Sequence, residues 1–139
     1  MKPKATKIIP LVLTLAILAA MLGIASPVNA ATTNLWAWGY NSWGQLGYPL
    51  ILYTTEPVQV NGLSNVTSVE GGNSFSLAIK SDGTVWGLGN DTIAQLGDGQ
   101  YPGPTNQSTP VRAVGLTKIT ALCTGRVHSM ALMQDGTVW

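Results

Sequence analysis

An internal repeat with a period near fifty residues constrains the fold of this chain more than any other feature. Trp36-Ala-Trp-Gly39-Tyr-Asn41-Ser-Trp-Gly-Gln45-Leu46-Gly47 returns as Trp86-Gly-Leu-Gly89-Asn-Asp91-Thr-Ile-Ala-Gln95-Leu96-Gly97. Further along, Pro57-Val58 returns as Pro110-Val111, Gly62-Leu63 as Gly115-Leu116, and Asp82-Gly-Thr-Val-Trp86 as Asp135-Gly-Thr-Val-Trp139. The first group is offset by fifty residues and the second by fifty-three, so the second copy has three more residues between Gly97 and Pro110. An insertion confined to one segment marks that segment as a loop, and a period of this length belongs to propellers and arrays. The repeat also explains part of an odd composition, five Trp beside a single Phe, because Trp36, Trp86 and Trp139 share one repeat position.

The repeat unit reads as β-strands throughout. Phe75, Leu77 and Ile79 alternate with Ser76, Ala78 and Lys80, the period-two pattern of a half-buried strand. Ser81-Asp82-Gly83 predicts a tight turn, with Thr84-Val-Trp86 as the returning strand, and Ser129–Met133, Asp135-Gly136 and Thr137–Trp139 repeat the arrangement. Pro57–Val60 and Val66–Val69 are two further short β runs, with a turn expected at Asn61-Gly62. Four short strands per repeat with Gly-rich turns predict an all-β fold of propeller blades, each with four antiparallel strands.

These motifs, with Gly125…His128-Ser129-x-Ala131-Leu132 in the second copy, resemble the repeat of the regulator of chromosome condensation family. The resemblance covers nearly all of Asn34–Trp139, as two repeats and the start of a third. It implies a seven-bladed β-propeller in a whole family member, of which this chain would hold about two blades. Two departures stand out: Phe75 replaces the usual His of the first copy, and Trp36-Ala-Trp38 is richer in indole than Trp86-Gly-Leu88. The namesake is a nuclear exchange factor for a small GTPase that sits on chromatin. Exported bacterial members are the better comparison, among them one that binds through aromatic loop residues.

Export is expected from the first thirty residues. Lys2, Lys4 and Lys7 precede Leu11–Ile24, where twelve of fourteen positions are apolar; Pro27 and Val28-Asn29-Ala30 follow. That order of positive start, apolar stretch and small-residue cleavage site is a secretory signal peptide, and fourteen apolar residues fall short of the roughly twenty that span a bilayer. The reading divides the chain into a signal peptide, 1–30, cleaved near Ala30, and a repeat domain, 31–139. After cleavage the product is secreted or at the cell surface, with no membrane span. Lys80, Arg112, Lys118 and Arg126 then face six acidic residues, and four scattered basic residues do not make a nucleic-acid patch.

Candidate chemistry is sparse. The lone His and lone Cys exclude a multi-Cys zinc site and an internal disulfide framework, and neither a metal nor a cofactor is expected. His128 is expected to be a buried or hydrogen-bonded structural residue, because Phe75 fills its place in the first copy. Ser129 as a nucleophile is disfavoured because Ser76 stands in the same slot without a His. Asp82 and Asp135 are read as turn residues and Cys123 as a partly buried free thiol. The sequons at Asn65, Asn90 and Asn106 are read as chance matches in an Asn- and Thr-rich repeat. Trp36, Trp86 and Trp139 are assigned to packing between blades.

Recognition is expected where the repeats differ. Tyr48-Pro-Leu-Ile-Leu-Tyr53 and Tyr101-Pro-Gly-Pro-Thr-Asn106 vary while the strands around them agree, and loops on a rigid frame commonly carry binding. The alternative is a pair of plain solvent loops. Trp38 and Trp43 have no Trp counterpart in the second copy, so Trp38, Trp43, Tyr48, Tyr53 and Tyr101 are the candidate ligand-binding residues. The sequence therefore predicts an exported, non-enzymatic propeller protein that binds a protein or cell-surface ligand. The competing reading is part of a secreted hydrolase or lyase whose active site lies mostly in other blades. Two repeats cannot close a propeller, so further repeats are expected in cis, with this chain a fragment, or in trans.

Overall fold

The computed structural model describes residues 34–49 and 51–139. The expected signal peptide, its cleavage site at Ala30, and Leu50 lie outside the described residues. Among the described residues all regular structure is β: β1 (Asn34–Tyr40), β2 (Tyr53–Ser64), β3 (Val66–Gly71), β4 (Phe75–Lys80), β5 (Val85–Gly89), β6 (Gln107–Arg112), β7 (Ile119–Thr124) and β8 (Ser129–Met133). They form a two-stranded sheet β1-β2, a four-stranded sheet β3-β4-β5-β6 and a two-stranded sheet β7-β8, with every pairing antiparallel. The full sheet is one meander, each strand bonded to the next in sequence.

The boundaries follow from local chemistry. The β4–β5 turn is set by Asp82, whose Oδ1 accepts from the Thr84 backbone N–H at 3.0 Å and from the Thr84 hydroxyl at 2.6 Å. Asp135 and Thr137 repeat both bonds at 3.0 and 2.7 Å. Gly83 adopts φ +74 in that turn and lies flat against Lys118, so that a Cβ there would sit 2.8 Å from the Lys118 Cα. The turn expected at Asn61-Gly62 takes the form of a bulge inside β2, with Gly62 at φ 81, and does not end the strand. β2 bulges between Gln59, opposite Trp36, and Ser64, opposite Asn34, and the chain reverses at Asn65, which has φ 58. Continuing the strand lets Ser64 pair with Asn34 before the backbone crosses to the next sheet. Lys118 takes the same turn position in the second copy, with φ 56.

The middle sheet is packed on both faces. Phe75, Leu77, Ile79 and Val85 join Leu96, Ala113, Ile119 and Ala131 in a buried cluster that reaches the β7-β8 sheet. On the other side, Ala78 and Leu88 join Val60 and Leu63 of β2, with Leu35, Ala37 and Trp86 packed around them. Each fully buried aliphatic side chain here contributes about 1.5–3 kcal/mol, so the two clusters hold the three sheets face to face. Trp86 is pinned further by its indole N–H, which donates to the Thr84 hydroxyl at 3.0 Å, and by Lys80 Nζ, 5.3 Å above its ring centre. The expected packing between sheets holds at Trp86. Trp36 and Trp139 are less covered, at 52% and 68% exposed, and each lines an open groove between neighbouring sheets.

Candidate functional site

The shared Asn/Asp…Gln-Leu-Gly motif builds the two loops that were expected to carry recognition. Asn41 is buried and its Oδ1 accepts from the Leu46 backbone N–H at 2.9 Å; Asp91 Oδ1 does the same for Leu96 at 2.8 Å. Gln45 Oε1 accepts from the Trp43 N–H at 3.0 Å, and Gln95 Oε1 from the Ile93 N–H at 3.1 Å. These bonds replace backbone pairing that the loops cannot make for themselves. Asn41 Nδ2 then donates to the carbonyls of Tyr48 and Ile51, at 2.7 and 2.9 Å, and so anchors the variable segment. The loops of the two copies touch: Asn106 Nδ2 donates to the Ser42 carbonyl at 3.1 Å.

This frame separates the five candidate residues. Trp38 lies on β1 and Tyr53 opens β2, 63% and 66% exposed, and Tyr101 is the most open at 77%. Tyr48 is at the edge of its loop, 38% exposed, and Trp43 is half-buried within the Asn41–Gly47 turn. Trp38 and Tyr53 belong to one surface with two residues that sequence reasoning missed. Trp36, Trp38 and Tyr40 alternate outward along β1, and Tyr40 is the cross-strand partner of Tyr53. The period-two spacing of 36, 38 and 40 was the available signal. Tyr48 and Tyr101 stand on the two adjoining loops.

The counterparts in the second copy show what such a surface can do. Trp86 and Leu88 occupy the positions of Trp36 and Trp38, and they pack against Val60 and Leu63 of the neighbouring sheet. The open grooves between sheets are likewise equivalent: Gln45, Ser76 and Trp86 line one, and Gln95, Ser129 and Trp139 the other.

The geometry at His128 differs from expectation. The residue is exposed, with its ring laid on Gly125 as the Phe75 ring is laid on Gly72. Its ring makes no hydrogen bond to another described residue. Ser129 is committed elsewhere, its hydroxyl donating to the Gln95 carbonyl at 2.7 Å, just as Ser76 donates to Gln45 at 3.1 Å. A hydroxyl proton held by a carbonyl is not poised for a neighbouring base. Asp82 and Asp135 serve their turns, and the bonds from Thr84 and Thr137 hold their carboxyls below the ordinary value. Cys123, expected to be partly buried, is an exposed free thiol on β7. Among the described residues no group of three His, Cys, Asp or Glu could hold a metal ion. Two of the three sequon asparagines have structural partners: Asn90 Oδ1 accepts from Thr92, and Asn106 reaches Ser42.

The profile of the Regulator of chromosome condensation (RCC1) repeat matches residues 34–79 and 82–132. The chain belongs to that family. An X-linked retinitis pigmentosa GTPase regulator homolog of Caenorhabditis elegans is 34% identical over 113 residues, covering 80% of this chain and 8% of the relative. Protein pim1 of Schizosaccharomyces pombe is 32% identical over 124 residues, covering 76% of this chain and 23% of pim1. Among solved structures, yeast RCC1 (Prp20) bound to Kap60 superposes with a TM-score of 0.64 at 25% identity, covering 74% of this chain and 24% of that one. Prp20p of Saccharomyces cerevisiae, described together with its binding to Gsp1p and histones, superposes at 0.61 and 26% identity, covering 74% of this chain and 25% of that one. The stacked antiparallel sheets are therefore part of a β-propeller, and the chain spans about a quarter or less of the length of these relatives.

Proposed function

We propose that this RCC1-repeat chain is an exported, non-enzymatic binding unit, and that it engages a protein through the aromatic surface of β1-β2 and the two adjoining loops. One observation carries the reading. Trp36 and Trp38 are open, while Trp86 and Leu88, at the same repeat positions, are covered by a neighbouring β-sheet. A surface of that shape is suited to another protein surface, and exposed aromatic patches of this kind mark interaction sites. Tyr53, the cross-strand partner of Tyr40, and Tyr48 and Tyr101 on the adjoining loops stand exposed beside Trp36 and Trp38.

The relatives support a protein as the ligand, since one is named as a GTPase regulator and another is described as binding Gsp1p and histones. The secretory pattern of residues 1–30 and the excess of acidic residues after them favour a partner outside the nuclear compartment, on an envelope or cell surface. The engaged Ser129 hydroxyl and the isolated His128 weigh against a hydrolase or lyase centre among the described residues.

Capture of envelope proteins by the immobilised chain tests the proposal, with Trp38, Trp43, Tyr53 and Tyr101 changed together to Ala as the control. The variant is expected to lose the bound partner. Equal capture by both proteins would contradict this choice of surface.

A further inference from the structure

Asn61 is the one asparagine of this chain that precedes a glycine. In that pair the backbone nitrogen of the glycine can attack the asparagine amide with little hindrance, because no Cβ screens it. A regular strand suppresses the attack by pairing the backbone on either side. The bulge in β2 removes that protection. The register passes from Trp36–Gln59 directly to Asn34–Ser64, so Leu35 alone faces Val60–Leu63, and neither Asn61 nor Gly62 has a cross-strand partner. Gly62 stands at φ +81, and both residues are exposed.

The side chain is free as well. No hydrogen bond to a described residue holds the Asn61 amide, whereas the side chains of Asn41, Asn90 and Asn106 are each committed. Nor does the backbone shape demand an asparagine. Val114-Gly115 stands at the equivalent place in the second copy, with Gly115 at φ +76.

We propose that Asn61 is a self-modifying site, which converts to aspartate and isoaspartate and thereby loosens the β1-β2 sheet from the complete sheet beside it. The bond from the Gly62 nitrogen to the Asn61 Cγ forms as the Cγ–NH2 bond breaks, and the Gly62 proton leaves with the amine as ammonia. Water then adds to either carbonyl of the resulting succinimide, so the balance needs water alone. Opening on one side gives aspartate. Opening on the other routes the main chain through the side-chain carboxyl and lengthens it by a methylene.

The surroundings make that added length costly. Val60 and Leu63, on either side of the pair, are 2% and 4% exposed and sit in one buried cluster with Ala78 and Leu88 of the complete sheet. Gly62 itself lies against Pro110 of β6, close enough that a Cβ would stand 3.5 Å from the proline ring. A close-packed seam does not absorb an extra methylene without displacing a side chain. The lengthened bulge therefore unseats Val60 or Leu63, whereas aspartate at the same position adds only a charge facing solvent.

The test incubates the full chain in mildly alkaline buffer, with and without urea, and follows every asparagine by peptide mass mapping. In the folded chain the Asn61 peptide is expected to gain the mass difference between NH and O ahead of all other asparagines, with isoaspartate the larger product. Conversion should slow several-fold in Gly62→Ala, where the new Cβ screens the nitrogen. Asn61 staying intact in the folded chain while converting in urea would overturn the proposal, since β2 would then be protective. The loosening is read separately, by comparing the purified isoaspartyl chain with Asn61→Asp, which has the charge without the added length. The isoaspartyl chain should melt lower and lose amide protection over Val60–Ser64. Equal melting and equal protection would overturn the loosening. None of these readings uses a binding partner, so this site and the recognition surface stand or fall separately.

Discussion

Ser129 fastens the β7-β8 sheet to the loop of the preceding repeat through a 2.7 Å hydrogen bond from its hydroxyl to the Gln95 carbonyl. Ser76 makes the same bond to Gln45 at 3.1 Å, thirty-one residues back in sequence. The pair joins two parts of the repeat motif, Gln-Leu-Gly and the Ser that follows Phe75 or His128, into one link between successive sheets. The fifty-residue period thus records a contact between repeats as well as the structure within each.

Removing either hydroxyl leaves a half-buried carbonyl without its partner. Ser76→Ala and Ser129→Ala are each expected to lower unfolding free energy by about 1 kcal/mol, measured by urea denaturation of the full chain. The two losses should add, because the sites share no partner. A gain in stability for either variant would show that the link is not structural.

Gly83 and Gly136 occupy the same turn in consecutive repeats but different surroundings. Both have positive φ, +74 and +86, while only Gly83 faces a backbone, with Lys118 in the way of a Cβ. Gly136→Ala should cost about 1 kcal/mol, the ordinary penalty of the left-handed conformation. Gly83→Ala should cost clearly more, because the Lys118 backbone must move as well. Equal losses in parallel melts would contradict the close approach.

How legible these features were in the sequence varied with their locality. β4 was readable from the alternation Phe75–Lys80, and the Asp82-Gly83 and Asp135-Gly136 turns from their residues alone. The turn at Asn65 was not, since Asn61-Gly62 is the stronger local turn signal; it bulges β2, and the pairing of Ser64 with Asn34 carries the strand past it. Nor can a period show where one sheet ends: the repeat begins at Trp36, but the complete sheet runs from Val66 to Arg112. At the candidate site, Trp38 and Tyr53 were found by comparing copies, whereas Tyr40 required the strand alternation and its pairing with Tyr53. The exposure of His128 was hidden because its counterpart, Phe75, is enclosed by the next sheet's side chains.

Asp82 and Asp135 predict acid sensitivity of the hairpin turns. Hydrogen bonds from Thr84 and Thr137 hold both carboxyls below their ordinary value of 3.8 in the folded chain. Their contribution is therefore present above that value and lost as pH falls through the lowered folded one. Asp82→Asn combined with Asp135→Asn should flatten the fall in melting temperature below about pH 4. An unchanged acid limb in thermal melts would remove the two turns from the account.

The most direct test of the recognition surface is a hydrogen-exchange footprint of the chain, free and bound to the partner recovered by capture. The account predicts protection concentrated in residues 36–40, 48–53 and 98–106, where Trp38, Tyr40, Tyr53 and Tyr101 stand exposed. Protection confined to β7 and β8, with those three segments unchanged, would contradict it.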